Sequence, residues 1–167
     1  MRDAVELVVV GAYHGRGNRA GTYGELLLSA YNPDADAFET VTKCGTGYTN
    51  EDLAELYELM RKHVIAHRHL RVRSSIEVDA WVEPVLVLEI FGAEIALSPI
   101  YTCAKDSISE GSGLAVRFPR FTGNYGVDKS AEDATRSIEM LEIYRNQLKR
   151  IDHTRVRNSI QTHRTNC

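Results

Sequence analysis

The apolar positions of this 167-residue chain recur first as short continuous runs and then at helical spacing. Val5 to Ala12 is rich in β-branched residues, Gly24 to Tyr31 (GELLLSAY) is a second apolar run, and Phe38 to Cys44 (FETVTKC) resumes after the turn residues Asn32-Pro33-Asp34. Runs of this length bounded by Gly, Pro, Asn and Asp predict strands, here a three-strand meander. Thr49-Asn50-Glu51-Asp52 resembles a capping box, and behind it Leu53, Leu56, Tyr57, Met60 and Val64 follow a helical period. That spacing predicts an amphipathic helix over residues 50 to 65.

After a polar, basic stretch, HRHLRVRSS, Val85 to Phe91 and Glu94 to Leu97 read as strands meeting at a Gly92 turn. Leu114 to Phe121 reads as one further strand, and Leu141, Tyr144, Leu148 and Ile151 mark a C-terminal helix starting near Ser137. Alternating βα units are missing, which argues against a parallel α/β sheet. The pattern predicts a mainly β fold, an OB-fold: a five- to six-stranded Greek-key barrel with one inserted helix and a C-terminal helix. Residues 1–150 make up this domain, and residues 151–167, polar and aperiodic, read as a disordered or non-native tail.

Composition narrows the function only by exclusion. The chain is 43% hydrophobic and 26% charged, enough for one domain with a core. With a net charge of −3 and a pI near 6.1, any nucleic-acid contact has to come from a local patch. Cys44, Cys103 and Cys167 stand far apart with no C-x-x-C pair, against both a disulfide framework and a zinc knuckle. No run approaches eighteen apolar residues, so no membrane partner is expected, and the expected location is cytoplasmic, nucleoid-associated in a prokaryote.

Two stretches carry candidate chemistry. GRGNRAG, residues 15 to 21, sets Arg16 and Arg19 in a Gly-rich connection, where guanidinium forks match phosphate oxygens. Its spacing fits neither the dinucleotide fingerprint nor the Walker loop, and the alternative is a solvated hairpin loop. LAVRFPRFTGNYGVDK, residues 114 to 129, brackets Phe118-Pro119 with Arg117 and Arg120 and closes on Asp128-Lys129. In a continuous strand Arg117 and Phe121 share one face, and Phe118 and Arg120 the other. A cation beside an exposed aromatic binds phosphate while the ring lies on sugar or base; the alternative makes Phe118 core and the arginines rim charges. His63, His67 and His69 invite a metal, but Arg61, Lys62, Arg68 and Arg71 would repel one, so the stretch reads as a solvated basic surface and no metal site is expected. Glu83 and Glu89 read as structural, with no third group converging on them.

VELVVVGAYHGRGNRAGTYGELLLSAY, KCGTGYTNEDL, WVEP, IALSPIYT and LAVRFPRFTGNYGVDKSAEDATRS follow one another in order. From about Val5 to Arg145 the chain resembles the C-terminal OB domain of ATP-dependent DNA ligases, especially the archaeal and replicative eukaryotic type. The resemblance implies nick sealing in replication and repair, with ATP and Mg2+ as cofactors used through a nucleotidyltransferase domain whose Lys-x-Asp-Gly lysine is adenylated. No such motif occurs in this chain, so alone it is expected to be inactive and to partner that domain, in the same or a separate chain. The implied partners are nicked double-stranded DNA and, through the full-length enzyme, a sliding clamp. Asp128 and Lys129 match the end of an Arg-x-Asp-Lys motif that closes over the ATP phosphates. Arg117 and Phe118 match a pair set in the minor groove beside the nick, with Arg120 alongside, and Arg16 and Arg19 match a basic DNA-binding loop. The chain departs from the pattern at Gly126, where the motif has an arginine, and at Asn18, where a basic residue is usual. The rival readings are a free-standing, non-catalytic OB-fold DNA-binding module and the related OB domain of an mRNA capping enzyme, the latter disfavoured by RFPRF and GRG-x-RAG.

Overall fold

The computed structural model describes residues 4–127 and 130–165, with side chains described as far as residue 151. In chain order it contains β1 (Val5–His14), β2 (Tyr23–Asn32), β3 (Ala37–Cys44), α1 (Asn50–Met60), β4 (Val64–Ile65), β5 (Val72–Arg73) and β6 (Ala80–Val82). β7 (Val87–Phe91), β8 (Glu94–Ser98), β9 (Gly113–Arg117), β10 (Arg120–Gly126) and α2 (Ser137–Thr165) follow.

Leu7, Val8, Val9 and Val10 of β1 are all fully buried. A run of strand without a polar position has no solvent face, so this part of β1 has to lie between two apolar layers. Val5, Leu7 and Val9 enter the larger core with Leu26, Leu28, Val41 and Leu88, while Val8 and Val10 enter a smaller one with Leu27, Phe38 and Val72. Between Val9 and Gly11 the register with β2 shifts, the alternation inverts, and Ala12 returns to the larger core.

The main sheet runs β10-β7-β1-β2-β3-β5, with β6 pairing both β1 and β4. β8 and β9 form a separate two-stranded sheet. Thr42 Oγ1 donates to the Val116 carbonyl at 2.9 Å, and Thr102 N donates to the Thr40 carbonyl at 3.1 Å. These bonds seat β9 and the loop before it on β3, so side-chain and loop contacts join the two sheets there.

Two further expectations need correction. α1 stops at Met60, and Val64–Ile65 leave the helix to pair with Val82 and Trp81 of β6. β7 and β8 do not meet as a hairpin at Gly92: Ala93 N donates to the Arg117 carbonyl at 3.0 Å, so the chain joins β9 and leaves β7 to β1 and β10. α2 runs from Ser137 to Thr165, a span without glycine or proline, and starts where the apolar spacing places its onset.

Capping at Thr49 follows the sequence closely, with Asp52 N donating to Thr49 Oγ1 and Thr49 N donating to Asp52 Oδ2, both at 3.0 Å. α2 buries Met140, Leu141 and Tyr144, and one turn on, Gln147 serves the backbone of Ile95 in β8. Ile95 N donates to Gln147 Oε1 at 2.9 Å, and Gln147 Nε2 donates to the Ile95 carbonyl at 2.8 Å. The amide thus stands in for a neighbouring strand at an edge that would otherwise be open.

The loop at 45–48 fastens β10 to the meander. Phe121 N donates to the Thr46 carbonyl at 2.9 Å, and Tyr48 stacks on Phe121 with centroids 5.1 Å apart. Gly47 lies at φ 97°, and a Cβ there would stand 2.4 Å from the Phe121 carbonyl oxygen. Gly47→Ala is therefore expected to destabilise the fold by about 2 kcal/mol or more, from left-handed strain and the backbone clash together. Chemical denaturation of the variant against the parent chain measures this, and an unchanged midpoint would show that the loop does not hold β10.

Candidate nucleic-acid interface

Pro119 has no N–H to give a ladder, and a residue before proline is pushed away from helical backbone. Phe118 answers with φ 55°, a left-handed conformation that a bulky side chain rarely adopts. The expected strand from Leu114 to Phe121 is therefore two strands in two sheets, β9 with β8 and β10 with β7. The face assignment changes with it, since Phe121 is buried while Arg117 is exposed.

Phe118 is 70% exposed, which excludes the alternative that makes it core. The Arg117 guanidinium lies over its ring, 5.1 Å from the centroid. Arg117 Nη1 also stands 3.0 Å from Glu94 Oε1, its partner directly across the β8–β9 pair. Cation and ring are thus oriented together at the tip of the turn, with one carboxylate holding the cation in place. Arg120, exposed, begins β10 opposite Phe91.

The basic loop between β1 and β2 divides its two arginines. Arg16 is exposed, whereas Arg19 Nη1 donates to the Gly24 carbonyl at 2.9 Å and the Gly45 carbonyl at 2.7 Å. Arg19 is consequently a partly buried tie between this loop and the loop at 45–48. Because Thr46 accepts from Phe121 N, the two loops and the start of β10 adjoin, linking Arg19 to the strand that Arg120 opens.

Asp128 and Lys129 lie outside the described residues. Upstream of them, Gly126 closes β10 opposite Val87, in a small recess lined also by Glu6, Glu89, Asn124 and Tyr125. Glu89 Oε1 accepts from Thr122 Oγ1 at 2.9 Å and Asn124 Nδ2 at 3.1 Å. A side-chain hydrogen bond from Tyr125 to Glu55 links β10 to α1 and pushes the phenol up to about 12.

Downstream, Glu132 is held by Arg71, a residue grouped above with the solvated basic surface. That grouping fails for Arg71. Its Nη1 donates to Glu132 Oε1 at 2.8 Å, its Nη2 donates to Asp36 Oδ1, and its guanidinium lies 4.8 Å from the Phe38 ring centroid. Bonding to Glu132 first of all raises its already high pKa further, so it stays charged. Nothing local marks this residue, because its two acidic partners lie 61 and 35 positions away.

Among the described residues, His63, His67 and His69 included, no group of three or more His, Cys, Asp and Glu side chains is placed to hold an ion. Nor, among them, is any helix long and apolar enough to cross a membrane.

Comparison with known proteins follows the same lines. Residues 19–124 match the family model described as ATP dependent DNA ligase C terminal region. DNA ligase 2 of Thermofilum pendens is 59% identical over 149 residues, covering 89% of this chain and 25% of that protein. The DNA ligase of Pyrobaculum islandicum is 54% identical, covering 89% of this chain and 26% of its own length. This chain therefore spans about a quarter of the length of the curated relatives it matches. Among solved structures, the ligase domain from M. tuberculosis LigD aligns over 80% of this chain and 38% of its own, with a TM-score of 0.59 at 21% identity, a likeness of fold. A mycobacterial DNA ligase D complexed with ATP and MES aligns with a TM-score of 0.56 at 22% identity, over 80% of this chain and 38% of that one. The family match spans more than half of the 167 residues, and the chain belongs to the C-terminal region of the ATP-dependent DNA ligases.

Proposed function

We propose that this chain is the mobile OB domain of a nick-sealing, ATP-dependent DNA ligase, working with a nucleotidyltransferase domain in the same or a separate chain. Family membership implies nicked DNA as substrate and the use of ATP and a metal ion. The observation that carries the DNA-binding part is Phe118, a 70% exposed ring held at positive φ beneath a guanidinium. Backbone strain at an exposed aromatic is kept where the side chain has a task outside the fold.

In this reading Arg117 and Arg120 neutralise backbone phosphates of the duplex and Phe118 lies in the minor groove beside the nick. Arg16 adds a phosphate contact from the basic loop. Arg19 acts one step back, fixing that loop to the loop at 45–48. In the other orientation of the domain, Lys129, with Asp128, meets the ATP triphosphate and stabilises the pyrophosphate leaving group electrostatically. Mg2+ and the adenylated lysine belong to the transferase domain. A sliding clamp would be engaged through the full-length enzyme.

Mixing this chain with a separately produced transferase domain, ATP, Mg2+ and nicked duplex tests the reading directly. Both lysine adenylation and sealing are expected to rise above those of the transferase domain alone. Nick binding without either gain would instead support the free-standing DNA-binding module, and neither binding nor gain would remove both. Phe118→Gly is expected to relieve left-handed strain, so that Tm holds or rises while nick affinity falls about tenfold. A fall in both, followed by thermal melting and fluorescence anisotropy, would show that the ring supports the fold instead.

Gly126 leaves the ATP-facing segment one cation short of the family's motif. It sits in β10 across from Val87, where an arginine extends from ordinary strand backbone. Gly126→Arg in the full-length enzyme is expected to speed self-adenylation by about tenfold, roughly 1.4 kcal/mol of added charge stabilisation. Single-turnover transfer of labelled AMP measures it, and an unchanged rate would sink the idea.

A further inference from the structure

We infer that Phe91 is a second aromatic contact to duplex DNA on this face, set across the β7–β10 ladder from Arg120. The inference rests on the DNA-binding reading above and extends it to a residue outside the RFPRF turn. Phe91 ends β7 directly opposite Arg120 of β10. Directly opposed residues of an antiparallel pair project from the same face with Cβ atoms about 5 Å apart. Phe91 is 48% exposed, while Ile90 before it and Gly92 after it are buried. The ring therefore stands out from the rim of the barrel.

Backbone geometry brings this pair to the tip already described. Immediately after Phe91 the chain reverses, and Ala93 N donates to the Arg117 carbonyl at 3.0 Å. Phe91, Arg117, Phe118 and Arg120 thus come from two chain reversals bonded to each other, with Glu94 paired to Arg117 between them. Here a guanidinium lies over the Phe118 ring, and the β7–β10 register sets Arg120 and Phe91 on one face, so cation and ring are available together to meet phosphate and sugar along one groove. With two such pairs the face follows the duplex for more than one backbone step, where one pair marks a point.

Fluorescence anisotropy of this chain on nicked duplex, repeated over a series of salt concentrations, tests the inference. Phe91→Ala is expected to weaken binding about tenfold with the salt slope unchanged, because a ring contact releases no counterion. Arg120→Ala is expected to make the slope shallower by about one unit. Phe91→Tyr, which keeps the ring, should bind nearly as the parent does, and thermal melting of each variant separates lost contact from lost fold. If Phe91→Ala binds within about twofold of the parent while Phe118→Ala is weakened, Phe91 lies outside the interface and the inference is overturned. If neither aromatic substitution weakens binding, or the parent chain fails to bind nicked duplex, the DNA-binding reading of the whole face falls with it.

Discussion

Burial of both faces of β1 is the constraint on which the rest of the structure depends. A strand apolar at successive positions has to be covered above and below, and its backbone has to be paired along both edges. β2 takes one edge while β7 and β6 share the other, so the next strand in the chain and two from far downstream are fixed by one strand. β7 in turn carries β10. The tip that bears Arg117 and Phe118 is consequently placed by the centre of the sheet, through two successive strand pairings, although it lies more than a hundred residues downstream of β1.

At that tip the chain trades regularity for presentation. A strand running unbroken from Leu114 to Phe121 would send alternate side chains into the core, and one arginine or one phenylalanine with them. Proline at 119 and the left-handed Phe118 end one strand and begin another in a different sheet. Val116 and Phe121 stay buried on either side while all the intervening cations and the Phe118 ring reach solvent. The local cost falls on one residue, and the hydrogen bonds of the 91–94 and 45–48 segments to the flanking strands hold it there.

Several polar side chains perform tasks usually left to backbone. Gln147 supplies the missing strand partner of Ile95, Arg19 joins two loops through their carbonyls, and Arg71 ties the β2–β3 turn to Glu132 while lying over Phe38. Each sits where an open edge or a loop meets the barrel. Arg71 shows why charge in a sequence is a poor guide to solvation: its planar, weakly hydrated head can cover an aromatic ring while its donors reach acids on either side. Tyr125 of β10 likewise uses its side chain, hydrogen-bonded to Glu55 of α1.

Much of this was legible in the residues. The three-strand meander, the Thr49 cap and α1, the onset of α2 and the likeness to ligase C-terminal domains all rest on local spacing or ordered motifs, which a linear reading can follow. The candidate cations were visible too, but their states were not. Arg19 and Arg117 look alike in sequence, yet one is bonded to two loop carbonyls and the other lies across an exposed ring. Where β7 parts from β8, how β9 and β10 divide, and what surrounds Phe91 and Arg71 were decided only by tertiary structure. The reason is physical: periodicity reports which side of a segment is apolar, whereas pairing and side-chain engagement depend on groups that only the closed barrel brings within bonding distance.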